Sequence, residues 1–206
     1  MMSIVLNKLS KTLILAILST SAVVIHNVYQ ETPQVVSVHT EQGIVIEDVD
    51  QLEKESDIII LGKVMPNPEN IIIKDSDGDI AVGYTKTNLS ILKVYSGEVE
   101  QGDQIALTEE YYKGRIDGKR YIFAAENYAP STENAEYIFF LKKYSNKSAR
   151  YGGMYYPVGV EKGRYPGDEK IKTKGLAALV NEDLSLGNED PTDYIELYKE
   201  VLRRYN

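Results

Sequence analysis

The residues best spaced for metal chemistry lie in IIIKDSDGDIAVGYT, residues 71 to 85, where Asp75, Asp77 and Asp79 alternate between two runs of β-forming residues. Alternate carboxylates can converge on a hard divalent cation, and these three match the first, third and fifth positions of an EF-hand loop. The template then breaks. The sixth position, which needs glycine for the sharp turn, is Ile80, and the twelfth, which needs a bidentate glutamate, is Lys86. Asp77 and Gly78 have instead the chemistry of a tight hairpin, because both tolerate positive φ. The stretch reads first as a turn and second as a weak calcium site at Asp75, Asp77 and Asp79.

Acid–base chemistry has little to draw on. His39, in VVSVHT, stands alone in a β-rich segment, and the adjacent Glu109 and Glu110 point to opposite faces if they continue the strand that begins at Ile105. The chain contains no Gly-x-Ser-x-Gly, no His-Glu-x-x-His and no phosphate loop. With no cysteine there is no thiol nucleophile, no disulfide and no Cys-ligated zinc. We expect no catalytic residue and no cofactor. A hydrolase built on scattered carboxylates is the least favoured alternative.

Recognition chemistry is better supplied. The chain has 16 tyrosines and no tryptophan, and most of the tyrosines fall between Tyr111 and Tyr165. On strands, the pairs Tyr111-Tyr112 and Tyr155-Tyr156 each place one ring inward and one outward, and an outward phenol suits contact with a protein or glycan. Charge is ordered along the chain. Residues 30 to 112 are strongly acidic, whereas residues 113 to 174 carry an excess of base. Within the basic block KGRIDGKR reads as a hairpin tip bearing Lys113, Arg115, Lys119 and Arg120. With Tyr111 and Tyr112 these residues form a candidate partner site for an acidic protein or an anionic envelope polymer. The competing reading is that the basic strands neutralise acidic neighbours within the fold.

The elements that position these residues follow from length and pattern. The chain has 206 residues, 43% of them apolar, enough for one compact domain, and its 31 acidic against 23 basic side chains disfavour nucleic acid as a partner. Residues 1–29 contain no acid, carry Lys8 and Lys11, and continue into an uncharged run over residues 12–25. That order is the order of an export signal, and the run is shorter than the roughly 20 residues of a spanning helix. The segment is either a cleaved signal or an uncleaved membrane anchor, with cleavage favoured. A lipidated signal is excluded because it would end at a cysteine. Residues 30–34 read as a tether, and residues 35–206 as a single domain of the secreted or extracytoplasmic protein.

Within that domain VDQLEKESD predicts a short helix capped by Asp48, with Val49 and Leu52 on its buried face. Ile58 to Leu61 predicts a buried strand. From Ala81 to Tyr95 one long strand is expected, and its apolar phase slips between Ile91 and Leu92, which predicts a β-bulge. RYIFA, EYIFFL, MYYPVGVEKG and KIKTK predict further strands. Asp190 and Pro191 open an amphipathic helix over 191–205, with Tyr194, Ile195, Tyr198, Val201, Leu202 and Tyr205 on one stripe. The fold class expected is mainly β, a small closed OB-like barrel with a short helix before its first core strand and a C-terminal amphipathic helix.

The succession LEKESDIIILGKV, LSILKVYSGEVEQGDQIAL, AEYIFFLKKY and YYPVGVEKGRY, over residues 47 to 175, resembles small exported proteins of Gram-positive bacteria. Their domain is similar to the OB-type barrel of netrin-like modules and of tissue inhibitors of metalloproteinases. The resemblance implies a closed five-stranded barrel. In the animal inhibitors it also implies protease binding through an amino-terminal cysteine that chelates the catalytic zinc, and this chain has no cysteine to carry that mechanism. The expected function is therefore an exported, non-catalytic binding or inhibitory module of the cell envelope. The alternative is an envelope-accessory structural protein, with a membrane contact only through an uncleaved N-terminal segment.

Overall fold

The computed structural model describes residues 33–38, 44–125, 128–145, 147–167, 180–184, 186–187 and 190–205. The expected export segment 1–29, most of the expected tether 30–34, His39 and the expected KIKTK strand lie outside them. The chain separates into Met1–Gln34 and Val35–Asn206, and the second unit holds the fold.

Five strands close the barrel: β2 (Ile58–Val64), β4 (Ile80–Ser96), β5 (Gln104–Glu109), β8 (Glu136–Lys143) and β9 (Tyr155–Pro157), with β1 (Gln34–Val38), β3 (Glu69–Lys74), β6 (Tyr111–Ile116) and β7 (Lys119–Ala125) outside the ring. The ring runs β8-β2-β4-β5-β9 and returns to β8. Its only parallel pairing among the described strands, Leu107 opposite Tyr155, joins β5 to β9, while β9 is antiparallel to β8. That connectivity is the OB-type barrel expected from the sequence.

The unbroken apolar runs of β2 and β8 follow from what lies on each side of them. Side chains alternate across a strand. Ile58, Ile60, Tyr137, Phe139 and Leu141 point into the barrel with Leu89, Ile91 and Leu107. Ile59, Ile138 and Phe140 point outward into a second core. That outer core is covered by α1 (Val49–Glu55), α2 (Asn181–Leu184) and α3 (Thr192–Tyr205), with Leu52, Leu184, Tyr194, Leu197, Tyr198 and Val201 inserted. A wall buried on both faces has no polar phase to show, so its sequence reads as continuous.

Local chemistry sets the helix ends. Asp48 Oδ1 accepts from Gln51 N at 2.8 Å, and Val49 and Leu52 are buried, as the pattern predicts. Asp190 Oδ1 accepts from Thr192 N at 3.0 Å and Thr192 Oγ1 at 2.6 Å, so the last helix begins at Thr192, one residue beyond the predicted start. Leu197 joins its buried stripe, a position the expected pattern omits. Arg204 ties this helix to α1 through Glu53 at 2.8 Å and Asp50 at 2.6 Å.

The long strand β4 slips twice against β2. Ile59 faces Ser96 but Ile60 faces Val94, and Leu61 faces Lys93 but Gly62 faces Ile91. Leu92, where the apolar phase shifts, is thus an extra residue in the ladder, and the bend it introduces lets the sheet curl. MYYPVGVEKG departs from the expected single strand. Only Tyr155–Pro157 is extended. Gly159 and Val160 then turn left-handed (φ 67° and 58°), and a 3-10 helix, Val160–Gly163, leads into β10, Arg164–Pro166.

Candidate functional site

Glu109 and Glu110 part company, as their strand positions require. Glu109 is in phase with Ile105 and Leu107 and is only 1% exposed. Its Oε1 accepts from Tyr128 OH (2.9 Å), Ser131 N (3.0 Å) and Arg164 Nη1 (3.3 Å), and its Oε2 accepts from Thr87 Oγ1. Arg164, also 1% exposed, donates further to Tyr128 OH (3.0 Å), Ser131 Oγ (2.6 Å) and Ala129 O (2.9 Å). Its guanidinium lies over the rings of Tyr128 (4.5 Å) and Tyr137 (5.4 Å). Burial opposes this charge, and the surrounding oxygens of Tyr128 and Glu109 outweigh it, so the Arg164 pKa moves up. With water excluded and its hydrogen bonds turned inward, the cluster works as a pin between β5, β10 and the 128–131 loop.

The three aspartates form a turn. Asp75 Oδ1 accepts from Asp77 N and Asp79 N, each at 3.0 Å, and Gly78 N closes on Asp75 O at 3.2 Å with φ 90°. The carboxylate of Asp75 is therefore engaged with its own backbone, the Asx arrangement of a tight turn. Among the described residues no three His, Asp or Glu side chains group closely enough to hold a metal ion.

The basic segment is a hairpin. β6 and β7 turn through Asp117 and Gly118, both at positive φ (51° and 80°), as a two-residue loop demands. Lys113, Arg115, Lys119 and Arg120 are all exposed. Arg115 stands directly opposite Arg120, and among the described residues none of the four cations meets an acid within ion-pair distance. Among the described residues, neutralisation by acidic neighbours is not realised at these positions. Tyr111, grouped with them from sequence, is corrected: it is 2% exposed, packed near Tyr128, and offers no surface to a partner.

Tyr112 takes part in a different feature. It is half-buried, stacked on Phe123 with ring centroids 4.9 Å apart, and lies so close to β4 that a Cβ on Gly83 would sit 2.3 Å from its ring. Beside it opens a pocket of about 330 Å³ lined by Tyr84, Thr108, Glu110, Tyr112, Tyr144 and Tyr151, among others. The rings support one another: Tyr84 meets Tyr151 edge to face at 5.2 Å, and Tyr151 stacks on Tyr144 at 4.6 Å. Thr108 Oγ1 and Tyr144 OH lie within hydrogen-bond reach at 3.2 Å, and burial pushes the Tyr144 phenol up to about 12.

Glu110 is the one acid among the described residues lining this pocket. Among the described residues its carboxyl accepts no hydrogen bond and faces no cation, and burial raises its pKa. A carboxyl whose folded pKa lies above its unfolded value costs stability once it ionises, and the cost disappears below the unfolded value near about 4.3. Glu110→Gln should therefore raise the melting temperature by about 1–3 °C at neutral pH. Calorimetry should show that advantage fade on acidification, and a variant less stable at neutral pH would contradict the placement.

No protein-family model matches the chain, and no curated protein does. The residues of the pocket were not legible as a group, since Tyr84, Glu110, Tyr144 and Tyr151 are brought together only by barrel closure. Gly83 was the available sign, because a glycine inside a strand marks a close approach.

Proposed function

We propose that the protein is an exported, non-catalytic binding module of the bacterial cell envelope, netrin-like in its barrel, whose β6–β7 hairpin contacts an anionic polymer. The observation that carries this reading is Arg115 facing Arg120 at the exposed tip, with Lys113 on the same face, Lys119 next to the turn, and no acid of the described chain within ion-pair distance. Like charges placed opposite one another cost stability, and the cost is recovered when an external anion sits between them. The engagement of Glu109 with Arg164 supports the non-catalytic part, since it removes half of the one adjacent acid pair considered for hydrolysis.

Replacing Lys113, Arg115, Lys119 and Arg120 by Ser should leave the melting temperature nearly unchanged. The same change should abolish low-salt cosedimentation with isolated cell-wall material, and parent binding should fall steeply as salt rises. Equal binding by parent and variant at low salt would refute the reading. Retention on a purified acidic protein, with none on the wall polymer, would move the partner to the protein class.

A further inference from the structure

We propose that the pocket around Glu110 binds a small alkylammonium cation, a positively charged nitrogen carrying methyl or methylene groups. The inference goes beyond the hairpin reading and does not depend on it. Three features of the pocket converge on this chemistry.

The first is charge. Glu110 is a half-buried carboxyl with no hydrogen bond and no counter-ion among the described residues. Burying such a group without compensation is costly, and the cost is removed by a cation supplied from outside. An anion is excluded by the same charge.

The second is the wall. Tyr84, Tyr112, Tyr144 and Tyr151 line the space with Ile80, Ala81 and Val82. Tyrosine faces attract cations, and rings whose faces are already covered, Tyr112 by Phe123 and Gly83 and Tyr151 by Tyr144 and Arg150, still give apolar surface against which methyl groups pack. Calcium or magnesium does not fit, because each takes six or more oxygen ligands and the described lining offers a single carboxylate.

The third is size and construction. At about 330 Å³ the pocket is near the lower end of ligand sites, with room for an ammonium head and its substituents. Gly83 lets Tyr112 lie against the backbone of β4, and Tyr84, Tyr151 and Tyr144 hold one another in place by ring contacts. The site is thus formed before a ligand arrives.

Tetramethylammonium chloride is the direct probe, titrated into the full chain with tyrosine rings observed by NMR. Saturable shifts are expected at Tyr84, Tyr112, Tyr144 and Tyr151. Uncharged tert-butanol, of similar shape, should bind at least about tenfold more weakly, and Glu110→Gln should weaken tetramethylammonium by about the same factor. Lowering the pH to protonate Glu110 should reproduce the effect in the parent. The fourfold Ser variant of the hairpin should bind the probe unchanged, and loss there would reassign the cation effect to the hairpin and overturn the proposal. It is equally overturned by absence of saturation, by equal affinity for the neutral probe, or by an unaltered midpoint in Glu110→Gln.

Discussion

Arg164→Met should lower the melting temperature by about 10 °C or more, the largest effect expected of any single change away from the apolar cores. Methionine fills most of the volume, so the loss is electrostatic. Glu109 would remain 1% exposed, its charge opposed by nothing but the hydroxyls of Tyr128 and Thr87 and the amide of Ser131. Removing one partner of a buried pair costs about 3–5 kcal/mol, and in a domain of this length each kcal/mol moves the transition by roughly 2–4 °C. Removing both partners should hurt less than the sum of the two single losses. A cycle through Glu109→Leu, Arg164→Met and the double variant measures that coupling, expected above about 1 kcal/mol. Thermal melts of Arg164→Met within about 2 °C of the parent would show that the pin does not hold the fold.

The second large effect concerns two glycines in the same connection, Gly97 and Gly102, which share a left-handed backbone (φ 101° and 96°) but differ in surroundings. A Cβ at Gly102 meets nothing within 4 Å, whereas one at Gly97 would lie 2.5 Å from Asp57 O and 2.9 Å from Ile58 Cα. Alanine at Gly102 therefore costs only the conformational strain of about 1 kcal/mol. Alanine at Gly97 adds a collision with the backbone entering β2, which cannot rotate away, for a total of about 3 kcal/mol or more. Urea melts of the two variants should separate them clearly. Equal destabilisation would mean that β2 yields at its entrance.

These two effects differ in how far the sequence announces them. The fold was legible because its marks are local: apolar runs of strand length, a phase slip near Leu92, an Asp-Gly turn at 117–118 outside the barrel, and a capped helical stripe from Tyr194 to Tyr205. The buried pin was half legible. Glu109 continues the inward phase of Ile105 and Leu107, which requires a partner, but Arg164 opens a three-residue strand after a 3-10 turn, too short for any period to place it. The pocket was not legible, because its rings come from β4, β6 and the connection after β8, and no spacing links them. Tyr111 and Tyr112 show the same limit: alternation sent one inward correctly, but gave no hint that Tyr112 would lie flat across Gly83.

The two-faced wall of β2 and β8 has a consequence for the order of events in the cell. Ile59, Ile138 and Phe140 are covered by Tyr194, Leu197, Tyr198 and Val201 of the helix Thr192–Tyr205. The ribosome makes every strand of that wall before it makes the helix. Until then the nascent chain carries a strip of uncovered isoleucine and phenylalanine, a surface that holdase chaperones bind, and it cannot reach its final state. Maturation must therefore wait until synthesis has passed Tyr205. A polypeptide that stays unfinished over that interval is threadable and not yet locked.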